Sequence, residues 1–166
     1  MAMVDRRLLL LGGTGVAVLA GLGWMHSSDV GAGSFEVEKS DAEWRRLLKP
    51  AQYRVLRQHG TEQPYSSALN GEKRKGTFAC GGCDLPLFAS ETKFESGTGW
   101  PSFYAPLPGA VATSEDRSLF LPRTEVHCRR CGGHLGHVFN DGPPPTGRRY
   151  CMNGVALNFV PADAPA

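Results

Sequence analysis

Residues 128–139 read Cys-Arg-Arg-Cys-Gly-Gly-His-Leu-Gly-His-Val-Phe, and the same cysteine spacing occurs earlier at Cys80-Gly81-Gly82-Cys83. Two residues between a pair of thiolates let both sulfurs reach one tetrahedral ion. Gly81, Gly82 and Gly132 are expected to supply the unusual backbone angles of such a knuckle. The two pairs therefore predict a structural zinc site that joins distant segments of one small domain. Its predicted ligands are Cys80, Cys83, Cys128 and Cys131.

Three other interpretations of these cysteines stay open at the level of sequence. An oxidising compartment favours two disulfides. A thioredoxin-like redox pair is a second option, although neither pair follows a βαβ pattern. A third option is a metal site made by Cys128, Cys131, His134 and His137, which would leave the first cysteine pair unexplained.

Length and composition limit the kind of protein. The chain of 166 residues is long enough for one domain with a core and short for two. Its 21 glycines and 12 prolines indicate many turns and short strands. The net charge of +2 argues against electrostatic wrapping of nucleic acid, so no nucleic-acid partner is expected.

The N-terminal residues have the layout of an export signal. Arg6-Arg7 precedes four leucines, residues 8–28 carry no charge, and small residues surround position 32. The paired arginines and the glycine-diluted apolar region predict a twin-arginine signal over residues 1–32. The expected location is the periplasm or another exported compartment, with membrane contact only during export. The alternative is a retained anchor that holds the domain on the periplasmic side of the membrane.

Downstream of the signal, the sequence predicts a linker over residues 33–39 and one domain over 40–166. Ser40 can cap a first helix, and Pro50 suits the first turn of a second helix that ends near Gly60. From Gly76 onward, short apolar segments alternate with turn residues. They occupy residues 77–79, 85–88, 100–104, 119–121, 138–139 and 155–160. This pattern predicts a mainly β, mostly antiparallel domain with a short N-terminal helical segment.

A fifth cysteine stands alone in the sequence Arg148-Arg149-Tyr150-Cys151-Met152-Asn153. A lone cysteine in a strand is commonly a small core residue. Here, however, the two arginines can stabilise a thiolate, and Asn153 can lie on the same strand face. His134 and His137 are close enough in sequence to supply protons. Cys151 is therefore a candidate nucleophile.

Trp100 lies between Gly99 and Pro101, which restrict the backbone around it. A tryptophan in such a rigid turn can form the wall of an apolar pocket. It can equally be a residue of the core.

Five separated motifs, taken together, resemble the B-type methionine sulfoxide reductases, and the resemblance covers residues 38–161. The motifs are Cys80-x-x-Cys83, Gly97-Thr98-Gly99-Trp100-Pro101-Ser102-Phe103, residues 128–139, Asp141-Gly142-Pro143 and Arg149-Tyr150-Cys151-Met152-Asn153. The resemblance implies a compact β domain of two small antiparallel sheets. It also implies a structural zinc ion distant from the active site and reduction of the R epimer of methionine sulfoxide in peptides.

The resemblance also implies roles for individual residues. Cys151 matches the family nucleophile, and Trp100 matches the ring that packs on the substrate methyl group. His134, His137 and Asn153 match the residues that bind and protonate the sulfoxide oxygen. Phe139 and Arg149 are the further expected substrate contacts, and the four paired cysteines match the zinc ligands.

One position departs from the family pattern. Many members carry a second, resolving cysteine where this chain has Thr98. With four cysteines assigned to zinc, only Cys151 remains for catalysis. We therefore expect a one-cysteine cycle, in which a thioredoxin-like protein or another thiol reduces Cys151 directly. The expected substrates are oxidised proteins and peptides, and the expected state is a monomer.

Two other functions compete with this interpretation. An exported zinc-ribbon-like binding module would use the cysteines without catalysis, but ribbons usually separate their pairs by about 15–20 residues, fewer than the 44 present here. A secreted, disulfide-stapled structural domain would have two bridges, no zinc and no dependence on Cys151.

Overall fold

The computed structural model describes residues 34–118 and 121–163. The predicted signal over residues 1–32 lies outside the described residues. No helix among the described residues combines the length and the apolar character needed to cross a bilayer.

Two short helices precede the sheets, as the capping residues predict. Helix α1 spans Asp41–Leu47, and its Ser40 cap forms a reciprocal capping box with Glu43. Helix α2 spans Pro50–Gln58 and starts at the predicted proline. It packs against strand β7 (His134–Phe139) and places the segment that follows it beside the candidate site.

A three-stranded antiparallel sheet forms the first layer. Its strands are β1 (Gly76–Cys80), β2 (Pro86–Ala89) and β9 (Leu157–Pro161), in the order β2-β1-β9. The central strand β1 ends at the first predicted zinc ligand.

A six-stranded antiparallel sheet forms the second layer, in the order β3-β4-β8-β7-β6-β5. Besides β7, its strands are β3 (Lys93–Phe94), β4 (Ser102–Phe103), β5 (Val111–Asp116), β6 (Arg123–Cys128) and β8 (Arg149–Met152). The predicted fold of two small antiparallel sheets is confirmed.

Aromatic side chains from both sheets form the core between them. The ring of Phe103, on β4, lies 4.9 Å from that of Phe78 on β1 and 4.4 Å from that of Phe88 on β2, measured between centroids. All three side chains are fully buried. Burial of such large apolar surfaces is the main force that holds the two layers together.

The individual strands differ from the prediction in several places. The two-residue strand β3 was not predicted, because it is too short to form an apolar run. Strands β5 and β6 were not predicted, because the former is largely exposed and reads Val-Ala-Thr-Ser-Glu-Asp, without an apolar run. The run at 155–160 begins with a 3-10 turn, Gly154–Ala156, before β9 starts. The predicted strand at 119–121 includes two residues outside the described part of the chain.

Candidate functional site

The four paired cysteines converge on one point between the two sheets. Their sulfurs all lie within 4.8 Å of one another. The Cys80 and Cys131 sulfurs are 3.7 Å apart, and those of Cys83 and Cys128 are 3.5 Å apart. A tetrahedral zinc ion with bonds of about 2.3 Å separates its sulfur ligands by about 3.8 Å. The donor set and its spacing therefore fit a structural zinc ion, as the sequence predicts.

Each cysteine pair lies on a similar turn. In the first turn the Asp84 N–H donates to the Cys80 carbonyl, and in the second the Gly132 N–H donates to the Cys128 carbonyl, both at 2.9 Å. Asp84 and Gly132 both have a left-handed backbone, with φ of 57° and 67°. The unusual angles therefore fall on the residue after each second cysteine. Gly81 and Gly82, which were expected to supply them, do not adopt positive φ.

The alternative interpretations of the cysteines do not fit this geometry. All five cysteines are free thiols, so the two disulfides are not formed, and the convergence of four sulfurs on one point favours a shared metal ion over a separate redox pair. The metal set that included His134 and His137 is also not formed, since the sulfurs of Cys128 and Cys131 cluster with those of Cys80 and Cys83 and with neither histidine.

Cys151 lies at a small cavity of about 120 Å³ that contains none of the four paired cysteines. The cavity is lined by Thr61, Trp100, Arg123, Gly136, His137, Phe139, Cys151 and Asn153. The cysteine is half-buried, so its sulfur is both shielded and reachable. The structure thus brings four further predicted site residues around the candidate nucleophile: Trp100, His137, Phe139 and Asn153.

Strand register explains why Cys151 and His137 share this cavity. Cys151 on β8 pairs directly with His137 on β7, and directly opposed residues of antiparallel strands project to the same face. Close approach of these strands needs a glycine at position 136. A Cβ atom there would lie 2.1 Å from the Cys151 carbonyl oxygen.

Asp116 orients the His137 ring. The His137 Nε2 atom lies 2.7 Å from the Asp116 carboxylate, which also accepts from Arg123 at 2.6 Å. Hydrogen bonds from Ser118, and then from His137, hold the pKa of Asp116 well below its usual value. An ionised carboxylate only accepts hydrogen bonds, so His137 carries its proton on Nε2. Burial lowers the pKa of His137, and Asp116 acts against that effect.

His134 is held by a second carboxylate and lies behind the cavity wall. Its Nδ1 atom is 2.7 Å from Glu125, and its ring centroid is 5.4 Å from that of His137. Hydrogen bonding to His134 is the largest of the effects that lower the pKa of Glu125 to about 2. His134 does not line the 120 Å³ cavity. It lines a neighbouring groove that also includes His137.

Glu62 holds two walls of the cavity at once. Its backbone carbonyl accepts from the Trp100 indole N–H at 3.2 Å, and its backbone N–H donates to the Asn153 side-chain oxygen at 2.9 Å. Its carboxyl group accepts from the backbone N–H groups of Gly154 and Val155. Glu62 itself is 9% exposed.

Phe139 and Arg149 form the outer side of the site. The Arg149 guanidinium lies 4.4 Å from the centre of the Phe139 ring and makes two 2.9 Å hydrogen bonds to Asp141. Its pKa is raised first by Asp141 and also by Cys151, which places the positive charge within electrostatic reach of the sulfur. Arg149 does not itself line the cavity. Arg148 is exposed.

Thr98, the position at which the sequence departs from the family pattern, lies next to Cys151. Its hydroxyl lies 3.7 Å from the Cys151 sulfur and 2.8 Å from the Ser96 hydroxyl. Ser96 in turn contacts Ser102 at 2.7 Å. A chain of three hydroxyls therefore ends at the sulfur.

Several residues of the site were not predicted from the sequence. They are Thr61, Glu62, Asp116, Arg123, Glu125 and Gly136. Glu125 has a weak signal, a charged residue in the partly buried strand β6 that precedes the histidine motif. Asp116 on the largely exposed strand β5 has none. Thr61 and Glu62 have no signal, because only tertiary packing brings the end of α2 to β8.

The family model described as the SelR domain matches residues 48–161. That range contains both the four-cysteine cluster and all residues that line the Cys151 cavity.

Proteins named peptide methionine sulfoxide reductase MsrB are similar over most of the chain. The protein of Methanosarcina barkeri is 59% identical over 124 residues, which cover 74% of this chain and 87% of the relative. That of Agrobacterium fabrum is 54% identical over 76% of this chain and 94% of the relative. That of Leifsonia xyli is 56% identical over 81% and 99%. With the SelR match and the geometry above, these identities show that the chain belongs to the peptide methionine sulfoxide reductase B family.

Proposed function

We propose that this protein reduces the R epimer of methionine sulfoxide in proteins and peptides, with Cys151 as the nucleophile. The observation that carries the proposal is the half-buried Cys151 thiol at a cavity shared with His137 and Trp100. A methyl sulfoxide is small and has one apolar methyl group and one basic oxygen. A cavity of about 120 Å³ with an aromatic wall and a histidine suits such a group.

The first step transfers oxygen from the substrate sulfur to Cys151. A sulfoxide sulfur becomes a good electrophile when its oxygen gains a proton, so an acid must act while the thiolate attacks. His137, opposite Cys151 on the neighbouring strand, is the proposed acid. It acts in its imidazolium form, which keeps the Nε2 proton in its hydrogen bond to Asp116 and donates the proton of its other ring nitrogen. The substrate sulfur is reduced by two electrons and leaves as methionine. Cys151 is oxidised by two electrons to a sulfenic acid.

Other residues position the reacting groups. Trp100 and Phe139 exclude water and contact the methyl group, and Asn153 contributes its amide to the site of the sulfoxide oxygen. His134 and Arg149 act from just outside the cavity, through His137 and through the charge near the sulfur. Zinc, when bound by the four paired cysteines, supplies cross-linking only, since four protein ligands leave no open position.

The proposed cycle then uses an external thiol. A first thiol attacks the Cys151 sulfenic acid, which forms a mixed disulfide and releases water. A second thiol attacks that disulfide, which frees the Cys151 thiol and releases the oxidised reductant. A thioredoxin-like protein can supply both thiols. Thr98, the neighbour of the sulfur, has no thiol that could act in their place.

The decisive experiment uses the full chain with its zinc and a peptide that contains both methionine sulfoxide epimers. With dithiothreitol as reductant, we expect loss of the R epimer only. Cys151→Ser should abolish the reaction and keep four-cysteine zinc binding, measured as zinc per chain. Consumption of neither epimer by folded, zinc-loaded protein would refute the function and favour the binding-module alternative.

Introducing a thiol at position 98 tests the one-cysteine cycle. After one turnover without external thiol, the wild-type chain should gain the mass of one oxygen, as a sulfenic acid or its trapped adduct. Thr98→Cys should instead form a disulfide with Cys151, because the two side chains are already in contact. Thr98→Ser is the matched control. An intramolecular disulfide to Cys151 in the wild-type chain would contradict the proposed cycle.

We also propose that the protein is exported through the twin-arginine route and acts as a monomer. The support for the export route is the sequence of residues 1–32. Replacement of Arg6-Arg7 by two lysines should retain the protein in the cytoplasm, as measured by cell fractionation. Unchanged export of that variant would contradict the route.

A further inference from the structure

Three side chains outside the cysteine cluster have donor atoms close enough to share one ion. They are His59, Glu125 and His134, and their donor atoms lie within 4.8 Å of one another. The Nδ1 atoms of the two histidines lie 2.9 and 2.7 Å from the same carboxylate oxygen, Oε1 of Glu125. The three residues come from the end of α2, from β6 and from β7, so tertiary structure alone assembles them.

Glu125 is held so that this oxygen faces both rings. Its other oxygen, Oε2, accepts a 2.7 Å hydrogen bond from the Ser114 hydroxyl. The carboxylate is thus fixed from one side and offers Oε1 to the two imidazoles.

Within the cluster, His134 is buried and His59 is accessible to solvent. His134 is 2% exposed, and its Nε2 atom has no hydrogen-bond partner among the described residues. The His59 side chain is 66% exposed. All three residues line a groove of about 480 Å³, which has room for an ion that arrives with its water.

We propose that His59, Glu125 and His134 bind a second divalent cation of the zinc class. Two imidazole nitrogens and one carboxylate oxygen are a donor set that zinc takes, with a fourth position left for water. Tetrahedral bonds of about 2.0–2.2 Å place the donors about 3.3 Å apart. Both imidazole–carboxylate separations, 2.9 and 2.7 Å, must then open by about half an ångström. The exposed His59 ring can move, and the Glu125 carboxylate must rotate away from buried His134. Each bound ring then carries its proton on Nε2.

Binding there would inhibit the enzyme, and this consequence rests on the proposed function. The ion would take His134 and Glu125 out of the hydrogen-bonded arrangement beside His137. The cluster would therefore make reduction sensitive to free zinc, although the catalytic sulfur is not a ligand.

Zinc stoichiometry tests the site without any assay of activity. The full chain with Cys151→Ser, which removes a competing thiolate, is dialysed against a rising concentration of zinc. We expect one tightly held zinc and a second, weaker one. His59→Gln should remove the second, and Gln58→Ala, a change at the exposed neighbour in the same groove, should keep it. A single zinc at saturation, or a second zinc retained in His59→Gln, would overturn the proposal.

Single-turnover kinetics test the inhibition. Pre-reduced chain and sulfoxide peptide are mixed without free thiol, because thiol reductants bind zinc. Zinc should slow methionine formation, and His59→Gln should need about tenfold more zinc or higher for the same effect. Equal sensitivity of His59→Gln and Gln58→Ala would overturn the inhibitory role. If the zinc-loaded chain shows no turnover even when no further zinc is added, the proposed function is refuted. The stoichiometry experiment then decides the second metal site alone.

Discussion

At the residue scale, the proposed chemistry depends on which ring nitrogen of each histidine carries a proton. Asp116 binds Nε2 of His137, and Glu125 binds Nδ1 of His134. Two carboxylates thus hold two neighbouring rings by different nitrogens, although the histidines are only three residues apart. The free nitrogens then differ as well, since His137 is left with Nδ1 and His134 with Nε2.

Asp116→Asn should lower activity more than stability. An asparagine can present its amide N–H to Nε2 and so favour the other tautomer of His137. A general acid contributes about 10²–10⁴-fold to a rate, and loss of its orienting partner should cost about tenfold or more. The measurement is kcat for the R epimer. Glu115→Gln, on the same strand, is the matched control and should leave kcat unchanged.

The effect of Asp116→Asn on the free energy of unfolding should depend on pH, in a direction that the pKa of Asp116 fixes. The pKa of Asp116 is lower in the folded protein than its ordinary value of 3.8. Its contribution to stability is therefore complete above about pH 4 and is lost as pH falls through the lower folded value. Asp116→Asn should be less stable at pH 7 and should lose less stability than wild type between pH 4 and pH 2. Urea unfolding at these pH values checks this, and parallel curves for the two proteins would contradict it.

At the element scale, Glu62 connects three segments that do not pair as strands. The end of α2 leads to Glu62, whose backbone holds Trp100 and Asn153 and whose carboxyl group holds the start of the 3-10 turn at Gly154. These contacts place an aromatic wall and an amide of the cavity relative to each other. Glu62 is thus a positioning residue, since it does not line the Cys151 cavity.

Glu62→Gln should destabilise the fold and loosen the site together. The amide leaves one of two buried N–H groups facing another donor, which costs about 1–3 kcal/mol. Urea unfolding measures this cost, and an increased KM for the sulfoxide peptide reports the displaced Trp100. Exposed Glu91→Gln is the control and should change neither. A stable variant with unchanged KM would show that these contacts are dispensable.

At the scale of the whole molecule, the cysteine cluster links the two sheets. Cys80 ends β1 of the three-stranded sheet, and Cys128 ends β6 of the six-stranded sheet. The bound ion therefore cross-links layers that otherwise meet through the aromatic core. Metal binding to such a site is coupled to folding, because the site does not exist in the unfolded chain.

Removal of zinc should lower the melting temperature strongly. A loss of several kcal/mol corresponds to a fall in Tm on the order of 15 °C or more for a domain of this size. The measurement is calorimetry before and after treatment with a strong chelator. Chelator already saturated with zinc is the control, and added zinc should restore the Tm. An unchanged Tm after complete loss of metal would contradict a structural role.

Much of the fold could be predicted because it depends on local signals. Ser40 and Pro50 start the two helices by capping chemistry, and glycines and prolines divide the strands. Strand β5 was not predicted, because it is largely exposed and its sequence has no alternation of apolar and polar residues. Its partner β6 is more buried but is charged at its start. Sheet pairing, not burial of β5, holds this edge of the larger sheet.

The sequence by itself determined the zinc ligands by their spacing, and it predicted Cys151, His134, His137 and Trp100 as candidate site residues by motifs that can be read along the chain. Only the tertiary structure decided what surrounds them. Strand register placed His137 opposite Cys151, β5 and β6 brought the carboxylates that set the ring tautomers, and α2 brought Glu62 and His59. The physical reason is the separation along the chain over which each effect acts. Motif spacing and helix capping involve residues only a few positions apart. Hydrogen bonds such as that from the Glu62 backbone to Asn153 join groups 91 residues apart and exist only once the sheets have packed.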